Sequence, residues 1–292
     1  MDLFYYQDPA GNFGDDLNTW IWDELLPGWR EALPGHLLVG VGTLLNARLP
    51  RGQPKVVIGT GAGYGDLPPE TVRAECRFLS VRGPRSAAAL GLPAGAGIVD
   101  PAALLPEMPR FRGIAKAGPP VFIPHNRSCH RLDWEAVCAE AGVEYLSPRG
   151  DAEAVIRRLA SAPLVIAEAM HGAIVSDAFG TPWHGLATSE WFLTAKWLDW
   201  ADSLGLSPRI SKLYALTNLG KRAGRVITRQ RAYVDASGEG KWSDLRRRIE
   251  APQAVTMLRR LAGQEGQLSD RARLDTARGR YREVAEGFMH EW

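Results

Sequence analysis

The chain has 292 residues, of which 45% are hydrophobic, so it is long enough for two ordinary domains with buried cores. Its 35 Lys and Arg residues nearly balance 33 Asp and Glu residues, which argues against nucleic acid as a partner. Three unpatterned cysteines (Cys76, Cys129 and Cys138) are typical of a reducing compartment. The N-terminus lacks a signal-peptide pattern, and no apolar run approaches membrane-span length. We therefore expect a soluble cytoplasmic protein.

Strands, turns and helices alternate along the first part of the chain. Strands are predicted at residues 3–6, 36–41, 55–58, 76–81 and 97–99. Helices are predicted at 16–26, from Gly42, and from Pro84 to the stop at Gly91. This alternation predicts an α/β domain with a mainly parallel sheet over residues 1–108.

Residues 109–120 are rich in Pro and Gly and are predicted to be an interdomain linker. A second α/β domain is predicted over 121–208, with strands at 121–123, 143–146, 164–166 and 183–186 and helices at 132–141, 151–160 and 190–204. Beyond it, residues 209–292 hold about 18 basic and about 10 acidic residues. Helices are predicted there at 212–222, 243–261 and 269–289, as a basic helical C-terminal segment.

His171 lies where a short apolar strand passes into a helix of small residues. The carboxyl ends of parallel strands are where open α/β sheets bind ligands, and helix N-termini offer free N–H groups to anions. This position makes His171 a candidate functional residue. The alternative is a His that caps or packs the helix start.

Other strand ends also carry polar residues. NFGDD follows the first strand, and its Asp15 and Asp16 could accept from sugar hydroxyls, or one could act as a base. A turn with an Asp cap is the alternative. The glycine-rich GTGAGYG at residues 59–65 could cradle a phosphate or a sugar, but it is not a P-loop. Arg82 and Arg85 flank a helix start, which suits an anion, although Arg at such a place is often a surface or interface residue.

The segment PHNRSCH in the second domain clusters His125, Arg127 and His130 after a strand. If the sheet is parallel, this cluster lies at the same sheet edge as His171. A zinc site that adds Cys129 matches no standard ligand spacing, so no metal is expected. Lys196 lies in the next helix, where a lone Lys is ordinarily a solvated residue.

Five segments together resemble the polysaccharide pyruvyl transferase family, in the family's order: NFGDD, GTGAGYG, FLSVRGPRSAAALGL, IVDPAALL, and VIAEAMHGAIVSDAFGTPW followed by the Lys196 helix. The resemblance spans roughly residues 10–205 and is greatest to the branch that acts on bacterial exopolysaccharide repeat units. It implies a GT-B-like fold, with two Rossmann-type domains facing across a cleft. The implied reaction moves a pyruvyl group from phosphoenolpyruvate onto two sugar hydroxyls as a cyclic ketal and releases phosphate.

The resemblance also implies roles for individual residues. His171 would donate a proton or contact phosphate, and Asp15 or Asp16 would be the base. The residues expected to bind the donor are His125, Arg127, Lys196, Glu168, Arg82 and Arg85. The residues expected to bind the acceptor are Asn12, Gly14, Gly61 and Tyr64. No cofactor is expected besides phosphoenolpyruvate as the donor substrate, and no metal is obligatory.

The sequence departs from the family at Ala169, where many members carry Arg two residues before the motif's His. Another basic group must then bind the donor here, or the donor site is altered. Two alternatives stay open: a GT-B glycosyltransferase that uses a nucleotide sugar, and a non-catalytic glycan-binding member. The acceptor would be a sugar or a lipid-linked oligosaccharide. The basic residues of the C-terminal segment could bind the anionic surface of the inner membrane, and the alternative is that they form a solvated face. These residues are Arg246, Arg247, Arg248, Arg259 and Arg260.

Overall fold

The computed structural model describes residues 1–189, 192–213 and 241–292, with side chains from residue 248 onward in the last range. Within these ranges the chain forms two parallel β-sheets flanked by helices, and two long helices follow the second sheet. The predicted α/β class with a helical C-terminal segment is confirmed.

The first sheet consists of four parallel strands that pair in the order of the sequence. They are β1 (Asp2–Phe4), β2 (Leu37–Val39), β3 (Lys55–Ile58) and β4 (Cys76–Ser80). Their four carboxyl ends therefore lie at one edge of the sheet. The strand predicted at 97–99 is wrong. Gly97 makes one isolated bridge with Val81, because the 3₁₀ turn before it brings the chain beside β4 for a single residue.

The helices of the first half are short. They are α1 (Phe13–Asp16), α2 (Ile21–Leu25), α3 (Trp29–Ala32), α4 (Glu70–Arg73) and α5 (Pro84–Leu90), with 3₁₀ helices at Leu17–Thr19, Ala94–Ala96, Pro101–Glu107 and Pro109–Phe111. The end of α5 at Gly91, with φ +70°, is as predicted.

Two helix predictions in this half are wrong. The helix predicted over 16–26 is divided, because the Asn18 side chain bonds both backbone groups of Val41 at 2.9 Å and Trp20 leaves the helical region with φ −143°. The helix predicted from Gly42 does not form. The φ of Gly42 is +119°, which a right-handed helix excludes.

The second sheet has five parallel strands in the order β6-β5-β7-β8-β9. They are β5 (Val121–Ile123), β6 (Glu144–Tyr145), β7 (Val165–Ala167), β8 (Trp183–Ala187) and β9 (Ile210–Lys212). The chain runs from β5 to one side and returns to the other, so β5 and β7 flank a topological switch point. Ligands bind outside the strand ends at such points in open α/β sheets.

Strand β9 corrects the prediction of a helix over 212–222, because Lys212 pairs with Ala187 in the sheet. Residues 214–222 lie outside the described residues. The helices of the second half are α6 (Trp134–Ala141), α7 (Ala152–Ser161), α8 (Met170–Ala178), α9 (Thr194–Ser203), α10 (Lys241–Ala262) and α11 (Arg271–His290), with a 3₁₀ helix at Asn126–Ser128. The predicted cap of α7 is confirmed, since Asp151 accepts a 2.9 Å bond from the Ala154 N–H. Helix α9 begins four residues later than predicted, and Glu190 and Trp191 lie outside the described residues.

The two long C-terminal helices pack against different sheets. Ala254 and Leu258 of α10 join Trp134 of α6 in a core beside the second sheet. Helix α11 returns to the first half of the chain, where Tyr281 and Phe288 join the main core. None of the described helices is long and apolar enough to cross a membrane.

The main hydrophobic core is continuous between the sheets. It contains Val56 of β3, Val165 of β7 and residues of α8 and α11. The predicted linker contributes Phe111, whose ring lies 6.0 Å from those of both Trp20 and Phe179. Part of the linker is therefore packed in the core, and it sets the position of one sheet relative to the other.

Candidate active site

The polar residues singled out in the sequence follow the carboxyl ends of strands in both sheets, and several pairs meet across them. Lys196, after β8, lies 2.5 Å from the hydroxyl of Tyr64, which follows β3. Gly14, after β1, lies against the ring of His171, which follows β7. The strand ends of both sheets therefore meet beside the switch point of the second sheet, and we refer to this meeting place as the cleft.

His171 is the second residue of α8 and is 9% exposed. Its Nε2 atom lies 3.5 Å from Oδ2 of Asp100, and its ring makes an edge contact with Phe13 at 6.5 Å. A Cβ at position 14 would lie 2.2 Å from Nδ1 of His171. Gly14 is therefore the residue that lets the imidazole approach the NFGDD loop.

Asp15 and Asp16 differ in their surroundings. Burial among protein atoms raises the pKa of Asp15 to about 6, although His171, Lys196 and a hydrogen bond from Asn12 all lower it. Asp16 instead accepts a 3.0 Å bond from the Asn12 N–H and so closes its own loop. Of the two predicted bases, Asp15 has the environment of a group that exchanges protons near neutral pH.

Lys196 is 7% exposed and lies 4.3 Å above the Tyr64 ring. Burial lowers the pKa of Lys196 to about 7, with Arg82 and Arg127 adding to the shift and Asp15 opposing it. Burial likewise raises the pKa of Tyr64, and Asp15 adds to it. Near neutral pH this lysine exists in both charged and neutral forms, so it can bind an anion or move a proton.

His125 begins the loop after β5. Burial, then Lys196 and Arg127, lower the pKa of His125 to about 4, so its imidazole is neutral at pH 7. Its Nδ1 accepts a 3.2 Å bond from the Arg127 N–H. His125 can therefore serve a donor anion as a neutral hydrogen-bonding group, and the cations nearby are Arg127 and Lys196.

Glu168 is fully buried at the end of β7. One carboxylate oxygen accepts from the Thr188 N–H at 3.1 Å and from the Ser189 hydroxyl at 2.9 Å. The other accepts from the His125 N–H at 3.0 Å. This carboxylate links the ends of β5, β7 and β8, and donor binding by Glu168 stays a prediction.

The two arginines predicted to bind the donor lie in different environments. Arg82 is fully buried, with its guanidinium 3.0 Å from Asp199 of α9 and further bonds to Gly42, Thr43 and Ala62. A Cβ at Gly61 would lie 2.3 Å from this guanidinium, so Gly61 makes room for Arg82.

Asp199 also accepts from Ser86, at 2.8 Å from its N–H and 2.6 Å from its hydroxyl. Arg85 is exposed and pairs with Asp202 at 2.6 Å. The motif VRGPRS thus joins the N-terminus of α5 to α9, the helix that carries Lys196. Its visible contacts are with the protein, and donor binding by Arg82 or Arg85 stays a prediction.

Three residues of the site were not predicted from the sequence. Asp100 lies in the segment DPAALL, where it caps the 3₁₀ helix that follows. Asp199 and Arg149 lie in amphipathic or turn segments with no distinguishing signal. Arg149 donates to Asn126 and His130 at 2.5 and 2.6 Å, and its neighbour Pro148 accepts from the N–H of Phe13 at 2.9 Å. The turn at 148–149 therefore supports the NFGDD loop from the second sheet.

The cysteine and histidines after β5 make contacts with other protein groups. Cys129 bonds the His125 carbonyl at 3.7 Å, and His130 faces Arg149. Burial raises the pKa of Cys129. In the described part of the chain, no group of three or more His, Cys, Asp or Glu residues could hold a metal ion. A reaction without a metal stays a prediction.

Comparison with known proteins agrees with these motifs. Residues 14–190 match the polysaccharide pyruvyl transferase family, and this match covers more than half of the chain. The chain therefore belongs to the polysaccharide pyruvyl transferase family. It is 47% identical over 210 residues to the succinoglycan biosynthesis protein ExoV of Rhizobium meliloti (strain 1021). That match covers 72% of this chain and 66% of ExoV, slightly less than two thirds of its length. No solved structure matches the chain.

Proposed function

We propose that the protein is a ketal pyruvyltransferase of exopolysaccharide biosynthesis that takes its pyruvyl group from phosphoenolpyruvate. The observation that carries the proposal is the juxtaposition of Lys196 with Asp15 and His171 in one cleft of a family member. Phosphoenolpyruvate brings a phosphate and a carboxylate, and the reaction needs both cations and proton-exchanging groups. The name of ExoV supports an exopolysaccharide repeat unit as the acceptor.

In this proposal the donor anions contact Lys196, Arg127 and the N-terminal N–H groups of α8. His125 adds a neutral hydrogen bond. This set replaces the arginine that many family members carry at the position of Ala169. The side chain of Ala169 is 8% exposed at the N-terminus of α8 and offers no polar group, so the cations come from the segment after β5 and from α9.

The proposed reaction then has two steps at C2 of the donor, an addition followed by a displacement. His171 protonates the methylene carbon, and a sugar hydroxyl adds to the resulting oxocarbenium-like centre as Asp15 accepts its proton. A second hydroxyl displaces the phosphate and closes the ketal. Of the two hydroxyl protons, one restores the protonated His171 and the other leaves with phosphate, so the acid and the base are regenerated.

The test is a donor screen with the purified protein. Lipid-linked and free oligosaccharides are incubated with phosphoenolpyruvate, and both phosphate release and pyruvylated product are measured. Acceptor-dependent release supports the proposal, and its loss in His171→Ala supports the site. Undiminished turnover by His171→Ala would overturn the role of His171.

The competing glycosyltransferase is tested by thermal shift. A bound donor stabilises the native state by about 2.7 kcal/mol at one hundred times its Kd. Stabilisation by a UDP-, GDP- or CDP-sugar, with none by phosphoenolpyruvate, would favour the glycosyltransferase. Retained glycan binding without turnover of any donor would favour the non-catalytic member.

We further propose a GT-B-like arrangement, with a first unit at 1–108, a linker at 109–120, a second unit at 121–208 and the C-terminal segment at 209–292. Two parallel sheets that direct their carboxyl ends into one cleft support it, as does the return of α11 to the first sheet. The acceptor would bind beside the first sheet, at Asn12, Gly14, Gly61 and Tyr64, and the donor beside the second.

Membrane association remains a proposal about the C-terminal segment. Arg259 and Arg260 are exposed on α10, while the side chains of Arg246 and Arg247 lie outside the described residues. A basic face of this kind would meet anionic lipid where lipid-linked acceptors are presented. Sedimentation with anionic vesicles at low and raised salt tests it, because electrostatic binding weakens as salt screens the charges. Equal binding at both salt concentrations would contradict the electrostatic explanation.

A further inference from the structure

Three buried polar atoms on or beside Asp100, from three separate elements, lie without a hydrogen-bond partner among the described residues. They are Nε2 of His171, Oδ2 of Asp100 and the hydroxyl of Tyr281. Native interiors leave few such atoms unpaired, so a cluster of three calls for a functional or structural reason. Asp100 and Tyr281 are fully buried, and His171 nearly so.

The Asp100 carboxylate is fixed by its own backbone. Its Oδ1 accepts a 3.0 Å bond from the Ala102 N–H at the start of the 3₁₀ helix Pro101–Glu107. This bond directs Oδ2 toward the imidazole, where it lies 3.5 Å from Nε2. The opposite ring nitrogen, Nδ1, lies on the side of Gly14 and the NFGDD loop.

Tyr281 brings the C-terminal helix α11 into the same cluster. Its ring packs over Gly59, where an added Cβ would lie 3.2 Å from the ring and 2.4 Å from Pro101. The φ of Gly59 is +83°, so glycine suits both the backbone and the contact. Burial, and then the Asp100 carboxylate, raise the pKa of Tyr281 well above its ordinary value. The phenol therefore stays protonated beside that carboxylate.

We propose that Asp100 is a positioning residue that selects the tautomer of His171, with Nε2–H directed at the carboxylate and Nδ1 directed at Gly14 and the NFGDD loop. A carboxylate behind an imidazole fixes both the orientation and the tautomer of the ring, and it stabilises the imidazolium once formed. Tyr281 lies beyond residues 14–190, the part of the chain that matches the family. The C-terminal helix thus places a side chain beside Asp100.

Asp100→Asn gives a sharp test, because the amide keeps the Ala102 bond through its oxygen and presents an NH₂ group to Nε2. The imidazole must then accept at Nε2 and carry its proton on Nδ1. Nitrogen-15 NMR of histidine-labelled protein reads the two ring nitrogens directly, with the His171 signals assigned by their absence in His171→Gln. We expect the wild type to have Nε2–H and the Asp100→Asn variant to have Nδ1–H.

The kinetic arm rests on the proposed pyruvyl transfer. We expect Asp100→Asn to lower kcat by about 10²–10³ with the KM for phosphoenolpyruvate within about twofold, because the tautomer affects proton transfer rather than donor binding. If the wild type does not turn over phosphoenolpyruvate, the proposed function fails and the NMR result still decides this inference.

Asp177→Asn is the matched control for the loss of a buried carboxylate. Asp177 lies on α8 with His171, and it accepts from Trp183 Nε1 at 3.0 Å and from the Ser269 N–H at 2.8 Å. We expect it to lower Tm at least as much as Asp100→Asn while leaving the His171 tautomer unchanged. An Nδ1–H tautomer in the wild type, or an unchanged tautomer in Asp100→Asn, overturns the proposal.

Discussion

Lys196 donates from Nζ to the Tyr64 hydroxyl at 2.5 Å and lies 4.3 Å from the centre of the same ring. The two residues are 132 positions apart and follow strands of different sheets. This contact joins the strand ends of the two sheets. It also places the buried ammonium group of Lys196 beside Asp15, so the protonation of these two groups affects the stability of the folded protein.

Substitution of Lys196 tests how burial of its charge affects the stability of the folded protein. The pKa of Lys196 is about 7 in the folded protein, below the ordinary value near 10.4, so the unfolded state binds more protons between these values. Stability therefore rises with pH across this window. Lys196→Met removes that dependence, and its Tm relative to wild type should be highest at pH 7 and fall toward pH 10.

The same variant should lower kcat/KM for phosphoenolpyruvate by about 10²-fold, because a buried cation is lost from the donor site. Lys196→Arg, which keeps the charge, should recover part of that loss. Circular dichroism melts and steady-state kinetics on the three proteins provide both readings. A Tm difference that does not change between pH 7 and 10 would contradict the shifted pKa.

Asp15→Asn should make the protein more stable at neutral pH and less active. Burial raises the pKa of Asp15 from 3.8 to about 6, so the folded state favours the protonated acid. The stability associated with this group is complete below about pH 4 and is lost as pH rises through 6. The Tm advantage of Asp15→Asn should therefore appear between pH 4 and 6 and persist above.

Loss of the base should lower kcat of Asp15→Asn by about 10²–10⁴. Asp16→Asn is the control, since Asp16 bonds its own loop, and we expect it to lower kcat less than Asp15→Asn does. Equal losses of kcat in the two variants would show that Asp15 is not the base.

The sequence predicts much of the fold where local signals and burial agree. Strands at 55–58 and 121–123 coincide with β3 and β5, because short β-branched runs in parallel sheets are buried on both faces. Long-range contacts defeat the same reasoning elsewhere. Asn18 binds the backbone of Val41, 23 residues away, and this contact divides a helix that periodicity alone would continue.

The candidate site is predictable in position but less so in role. Strand-end reasoning brings His171, Asp15 and Lys196 to one cleft. It does not distinguish a side chain that contacts a ligand from one that pairs with another buried residue. The difference depends on a partner that lies far along the chain. Arg82 meets Asp199 at a separation of 117 residues, and burial makes His125 neutral. Both outcomes depend on tertiary surroundings that spacing does not encode.

Removal of one partner from the buried Arg82–Asp199 pair should destabilise the fold strongly. Both side chains are almost fully buried, so removal of one partner leaves an uncompensated charge, which costs about 3–5 kcal/mol. Asp199→Asn should lower the free energy of unfolding by that amount in urea titrations. It should also lower activity, since α9 carries Lys196.

The exposed pair Arg85–Asp202 is the matched control, since it also joins the VRGPRS segment to α9. Its side chains are 51% and 36% exposed, and exposed pairs contribute about 0–1 kcal/mol. Asp202→Asn should therefore change the free energy of unfolding by less than about 1 kcal/mol. Similar losses in Asp199→Asn and Asp202→Asn would refute the distinction between the two arginines.

Gly14→Ala should damage the site through a single methyl group. The new Cβ would lie 2.2 Å from Nδ1 and 2.7 Å from Cγ of His171, and real Cβ atoms do not approach so closely. Either the imidazole or the NFGDD loop must move, and a displacement of about 1 Å at a reacting group can cost about 10²-fold in rate. We expect kcat to fall by that factor.

Gly279→Ala is the control, because Gly279 lies inside α11 with open space around its added Cβ. It should raise the free energy of unfolding by about 0.5–1 kcal/mol, since Ala is the better helix former, and leave kcat unchanged. His171 is held between Gly14 on one side and Asp100 on the other, so the two contacts can be tested independently. If Gly14→Ala retains full kcat, the imidazole tolerates displacement, and its close approach to the loop is not needed for the reaction.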